Sequence, residues 1–226
     1  ETLPPGRSTT GPILELAAGS GRITRALLAL GRPLTAVDSS VEMLAMLKEK
    51  AEDRTFNPRT VPVELVEADM SGFDVGGEFG CVVLGASSIT LLDPSGRREL
   101  FRRVGDSLAP DGRFLLTVLN ADGTAGSEHH DGGSTVSPLG EDSFLITVES
   151  RDIANGARNV TMIHVGFNEG GTYRSSAYSS RIAFVSNSLI EEEILAEGLT
   201  IVERRPVRIA TRTPGLNDIE LWVCSK

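Results

Sequence analysis

The sequence predicts a doubly wound α/β protein: a mostly parallel seven-stranded sheet with helices on both faces, and an antiparallel β insert after the fifth strand. Three observations carry that expectation. Strand and helix signals alternate through the first 120 residues, a pattern that calls for parallel strands joined by right-handed crossovers. A stretch of small residues in "ILELAAGSGRIT", residues 13–24, separates an apolar run from a helical one. After Asn120 the helical signals stop, and they return only at residue 186.

The elements follow in order. Residues 13–16 read as a buried strand, and 22–30 as a helix ended by Gly31. Residues 34–37 form a second strand. The segment 41–52 has helical apolar spacing at Met43, Leu44 and Leu47, with Ser39 or Ser40 as its N-cap. Strands are expected at 63–66 and 81–84, a helix at 97–108 ended by "APDG", and a fifth strand at 113–119. Residues 121–139 are rich in Gly, Ser, Asp and His and read as an exposed loop. Three antiparallel strands at 144–153, 160–167 and 173–184 are separated by "ANGAR" and "NEGGT" turns. A helix at 186–197, capped by Asn187 or Ser188 and stopped by Gly198, precedes two closing strands at 201–208 and 220–224. The expected organisation is a main domain of residues 1–120 and 185–226, with 121–184 inserted as a β cap.

Composition narrows the function. A net charge of -9 opposes nonspecific binding to nucleic acid and to anionic membrane. The four arginines of "RRELFRRV", residues 97–104, read as the solvated face of an amphipathic helix. Cys81 and Cys224 lie inside apolar runs, "CVVLG" and "ELWVCSK", and are expected to be buried free thiols, which suits a cytoplasmic location. No apolar run approaches a membrane span and no signal peptide is visible. The chain opens with Glu1 rather than Met, so a preceding segment is expected.

The glycine stretch has three readings. A phosphate loop needs Lys and Ser/Thr after its last glycine, and Arg22 and Ile23 stand there instead. A dinucleotide fold asks for a third small residue for close helix packing, where this chain has Thr24. The third reading takes in more residues: "ELAAGSG" at 15–21, Asp38 ending the next strand in "VDSSVEML", and "EADM" at 67–70.

Together these resemble the cofactor-binding pattern of the class I S-adenosylmethionine-dependent methyltransferases, which are Rossmann-like. The resemblance spans residues 13–119, with a weaker continuation at "SLIEEEILAEGLTIVE". It implies that Glu15 lies near the amino acid moiety of the cofactor, while Gly19 and Gly21 admit its carboxylate and ribose to the backbone. Asp38 then takes both ribose hydroxyls, since a carboxylate accepts several hydrogen bonds, with Ser39 beside it. Met43 packs on adenine, Asp69 accepts from the adenine amino group, Met70 supplies a neighbouring amide, and Gly85 is a further cofactor-binding residue, at the start of the segment where the substrate pocket begins. Ala17 stands where the commonest form has glycine, and is expected to fit with a negative φ.

For the acceptor, "GASSITLLD" at 85–93 lacks the Asn/Asp-Pro-Pro-aromatic stretch of enzymes that methylate DNA bases or glutamine amides. That points to a small-molecule or peptide acceptor, with no nucleic acid and no membrane as partner; a homo-oligomer is left open. The insert resembles the cap of glycine and amino-sugar N-methyltransferases, which implies N-methylation of an amine in natural-product biosynthesis. An oxygen acceptor is the alternative. An NAD(P)-dependent reductase is a distant one, because no Tyr-x-x-x-Lys relay is present. A noncatalytic methyltransferase-like subunit would be expected to have degraded cofactor residues. His129 and His130 in "SEHHDGG" and Tyr178 in the insert are the candidate catalytic residues, as groups that can collect or orient an amine proton. His164 and Tyr173 are weaker candidates. Asn120 and Asp122 in "NADG" are the one candidate metal pair, and no metal is expected.

Overall fold

The computed structural model describes residues 11–119, 132–139, 141–152, 157–168, 170–183, 185–207 and 219–226. The chain divides into two compact units. The first contains residues 1–119, 188–207 and 219–226; the second contains 120–187 and 208–218.

The first unit is built on a seven-stranded sheet. Its strands are β1 (Ile13–Leu16), β2 (Leu34–Asp38), β3 (Val63–Glu67), β4 (Phe79–Leu84), β5 (Leu108–Leu119), β10 (Thr200–Val207) and β11 (Ile219–Ser225). They lie in the order β10-β11-β5-β4-β1-β2-β3. β1, β2, β3, β4 and β5 are mutually parallel, whereas β11 runs antiparallel to both β5 and β10. The central strands β1 and β4 are buried at every position, as sheets covered on both faces require.

Helices α1 (Thr24–Leu28) and α2 (Val41–Glu52) cover one face. There Leu28 and Leu47 pack with Ile13, Ala36, Cys81 and Val83. On the other face, α3 (Pro94–Ser107) sets Phe101 edge-on against Phe114 of β5, ring centroids 6.3 Å apart. α4 (Asn187–Ala196) joins α3 through Arg97, whose guanidinium meets the Glu193 carboxylate at 2.7 Å from both Nε and Nη2. Arg97 is 3% exposed and also donates to the Leu92 carbonyl. The four arginines therefore do not form one solvated face: Arg97 is buried in a bidentate pair, while Arg102 and Arg103 pair with Glu99 along the helix.

Several expected boundaries shift. α1 is five residues rather than the predicted nine, starting at Thr24 after an N-cap residue, Ile23, that offers no side-chain hydrogen bond. β5 begins at Leu108, because "APDG" lies within the strand as a slip in register between Phe79↔Leu108 and Cys81↔Arg113. Gly112 fits there since a Cβ would come within 2.8 Å of the Phe79 carbonyl oxygen. Cys81 and Cys224 are buried free thiols, as expected.

The second unit is a four-stranded antiparallel meander of β6 (Gly132–Pro138), β7 (Ser143–Asp152), β8 (Ala157–Phe167) and β9 (Tyr173–Ala183). β6 lies in the segment read as an exposed loop. Its Gly, Ser and Pro content hides a strand that pairs with β7 from Gly132↔Ser150 to Pro138↔Phe144. Such residues are tolerated because β6 is an edge strand.

Removing one partner of the Arg97–Glu193 pair leaves a buried charge alone. Glu193→Ala is expected to lower unfolding free energy by about 3 kcal/mol in urea denaturation, and Arg97→Met with Glu193→Leu to recover most of that loss.

Candidate cofactor site

The site is set by topology. β1 and β4 are neighbours, paired Leu16↔Leu84, yet the chain leaves them in opposite directions across the sheet, toward β2 and toward β5. Crevices at such switch points are where open α/β sheets take ligands.

The loop after β1 is held by its backbone. The Ala18 amide donates to the Val37 carbonyl at 3.0 Å, and the Gly21 amide to the Ala18 carbonyl at 3.1 Å. Three of its residues are left-handed: Ala17 at φ +52°, Gly19 at +56° and Gly21 at +94°. Ala17 thus departs from the negative φ expected of it, and an alanine there carries strain of the order of 1 kcal/mol. The two glycines serve different ends. A Cβ on Gly19 would meet nothing within 4 Å, so its α-carbon borders open space. A Cβ on Gly21 would lie 2.6 Å from Leu47 Cδ1 and 2.9 Å from Phe56 Cζ, so close packing requires that glycine.

Asp38, the last residue of β2, ties the strand ends together. Its Oδ2 accepts from the Gly19 amide at 2.7 Å, its Oδ1 from the Ser40 amide at 2.9 Å, and its carbonyl from the Ala68 amide at 3.1 Å. Each carboxylate oxygen keeps a further accepting position. Ser39 beside it is exposed. Ser40 caps α2 by accepting from the Met43 amide, as Ser39 or Ser40 was expected to do. Met43 is 43% exposed on the first turn of that helix. Asp69 is exposed just beyond β3, its Oδ1 accepting from the Ser71 amide and hydroxyl, and Met70 behind it is buried.

Glu15 is 2% exposed, beneath the start of α1, where Thr24 donates its hydroxyl at 2.6 Å. Burial pushes its carboxyl up to about 7, against the opposing pull of that hydrogen bond.

Beyond β4 lies a feature the sequence did not reveal. Gly85 abuts the glycine loop so closely that a Cβ would fall 1.9 Å from Ile23 Cδ1. The next two residues, Ala86 and Ser87, are both left-handed, at φ +57° and +55°. The Ser88 amide donates to the Gly85 carbonyl at 3.1 Å, so the four residues make a tight turn with two positive φ angles, a type ordinarily built from Asn and Gly. Nothing in "GASS" marks it.

The catalytic candidates are less defined. His129, His130, Asn120 and Asp122 lie outside the described residues. Tyr178 on β9 is 66% exposed, opposite Met162 and on the same sheet face as the exposed His164; Tyr173 is on the other face. Among the described residues no group of three His, Cys, Asp or Glu is placed to hold a metal.

Glu15 gives a pH test. Its carboxyl holds a proton more tightly folded, at about 7, than at its ordinary 4.5. The stability due to the neutral form is therefore complete below about 4.5 and is lost as pH rises toward 7. Glu15→Gln keeps a neutral acceptor for Thr24. Without cofactor it should match wild type at about pH 4 and exceed it at about pH 8, by up to about 3 kcal/mol in urea unfolding. An equal difference at both pH values would contradict the assignment.

Residues 13–112 match the methyltransferase-domain family. A methyltransferase of Geobacillus sp. (strain WCH70) is 32% identical over 114 residues, 50% of this chain and 44% of that protein. The glycine/sarcosine N-methyltransferase of Halorhodospira halochloris is 28% identical over 162 residues, 71% of this chain and 57% of that one. The chain spans less than half the length of the first curated relatives it matches. The crystal structure of the glycopeptide N-methyltransferase MtfA complexed with S-adenosyl-L-homocysteine superposes with a TM-score of 0.65 at 26% identity, covering 96% of this chain and 82% of that one. Over residues 13–112 the chain is thus similar to the methyltransferase-domain family, and its fold is that of the S-adenosylmethionine-dependent methyltransferases.

Proposed function

We propose that the chain transfers a methyl group from S-adenosylmethionine to an amine of a small molecule or peptide, in natural-product biosynthesis. The observation that carries the choice of nitrogen is the extent of the likeness to the glycopeptide N-methyltransferase: it covers 96% of the chain and so includes the four-stranded unit, not the methyltransferase domain alone. The similarity to a glycine/sarcosine N-methyltransferase over 71% of the chain points the same way.

The residues fit the cofactor. A ribose diol needs two accepting positions side by side, and Asp38 retains one on each oxygen after holding Gly19 and Ser40. Open space at the Gly19 α-carbon admits a ligand close to the backbone. Met43 offers an exposed apolar surface for a base, and Asp69 an exposed carboxylate for an exocyclic amine.

When bound, S-adenosylmethionine supplies a methyl group already made electrophilic by the sulfonium charge. What remains for the protein is to hold the acceptor nitrogen neutral and in line, since positioning and exclusion of water supply much of the acceleration. Glu15, neutral or charged near pH 7, is the residue whose buried carboxyl a cationic amino-acid group would stabilise in its charged form. His129, His130 and Tyr178 are the candidates for receiving the amine proton.

Isothermal titration tests the cofactor. S-adenosylhomocysteine should bind wild type, and Asp38→Ala should weaken it by roughly 10- to 100-fold, the worth of hydrogen bonds to a charged group; NAD(H) should not bind. Transfer of labelled methyl to an amino sugar, glycine or a peptide N-terminus, against matched hydroxyl compounds, tests the acceptor. Methylation of the hydroxyl compounds alone would assign oxygen chemistry instead.

A further inference from the structure

We propose that the four-stranded unit is a self-association surface, and that its apolar face packs against the same face of a second copy of this chain. This stands independently of the cofactor assignment.

Side chains alternate across a strand, so the register of β6 to β9 sorts them between two faces. One face carries Phe144, Ile146 and Val148 of β7 with Ile163, Val165 and Phe167 of β8. Val136 of β6 and Tyr173 of β9 extend it to the two edges of the sheet. Over the span from Ser134↔Val148 to Pro138↔Phe144, continued through Thr161–Phe167 and Tyr173–Ser179, this face has no charged side chain. The opposite face differs: it carries His164, Arg174 and an ion pair between Glu149 and Arg158 at 3.5 Å. Yet the apolar face is open. Val136, Phe167 and Tyr173 are 48% to 68% exposed, and among the described residues of this unit there is no second layer to cover them. Contiguous apolar surface left in water marks a contact site.

Size, charge and shape all fit a second copy. The strands are 7 to 11 residues long. At about 4.8 Å between strands and about 3.3 Å per residue, they make a face of roughly 600 Å². Two such faces together reach about 1,200 Å², the lower end of stable interfaces, before the relief of the side chains is counted. Each chain carries a net charge of -9, so two copies meet at least electrostatic cost where neither presents an ion. A basic partner gains nothing from an uncharged face. The face also tapers, from Phe144, Phe167 and Tyr173 at one end to Ser134, Thr161 and Ser179 at the other. A two-fold axis across the strands sets the large end of each copy on the small end of its partner. That makes the contact self-complementary, as an isologous interface must be, in a sandwich of two sheets about 10 Å apart.

Sedimentation of the whole chain at micromolar concentration tests this, with wild type expected to be a dimer. Val148 and Met162 stand on neighbouring strands and are similarly exposed, at 39% and 42%, but lie on opposite faces. Val148→Glu should raise the dissociation constant by about 100-fold or more, because the two-fold axis places the new charge in the interface twice. Met162→Glu should leave it within about twofold. Tyr173→Glu, at a more exposed position of the apolar face, should also weaken the dimer, and it decides the matter if circular dichroism shows that Val148→Glu has not folded. A monomeric wild type would overturn the proposal and leave the face to a different partner. So would a dimer that survives both substitutions on the apolar face, or one lost equally with Met162→Glu.

Discussion

The site depends on one carboxylate whose accepting positions the fold does not use up. Asp38 stands where β2 ends, and its 2.7 Å bond to the Gly19 amide draws the loop of β1 onto the neighbouring strand. The rest of the loop is held by the Ala18 and Gly21 amides, by the packing at Gly21 and by the Lys50 ammonium on the Ser20 carbonyl. Because a carboxylate offers about four lone-pair positions, fixing Gly19 and Ser40 does not exhaust it. The group that shapes the loop is therefore still able to recognise a diol.

The rest of the first unit supports that arrangement by being rigid. β1 and β4 are buried along their whole lengths, with apolar layers on both faces, and the Arg97–Glu193 pair fastens α4 to α3. Against this background the irregular features concentrate at the strand ends. Ala17, Ala86 and Ser87 adopt conformations that cost roughly 1 kcal/mol or more each. Glu15 is a buried carboxyl that would ionise far more readily in water. A core that is stable elsewhere allows such costs to be carried where a ligand would relieve them.

Much of this was legible in the sequence because it follows from periodicity. α2 runs over Val41–Glu52 and β1 over Ile13–Leu16, as the apolar spacing predicts. The terminal strands close on the main sheet as a hairpin pair. Asp38 and Asp69 are found at strand ends because alternating elements fix where strands end. The illegible parts have physical reasons. β6 consists of Gly, Ser, Thr, Val and Pro, and its strand form comes from pairing with β7. Arg97 resembles its neighbours Arg98, Arg102 and Arg103 in sequence, and only the position of Glu193 across the fold buries it. The positive φ angles at Ala17, Ala86 and Ser87 carry no glycine to announce them.

The central claim is that the Asp38 carboxylate holds the glycine loop and a ribose together. A crystal structure of the chain with S-adenosylhomocysteine tests it most directly. Both ribose hydroxyls should lie within hydrogen-bond distance, about 2.5–3.0 Å, of the two Asp38 oxygens, with the Gly19 amide still donating to the same group. A nucleoside bound away from β2, or an Asp38 side chain turned from Gly19 to meet it, would contradict the account.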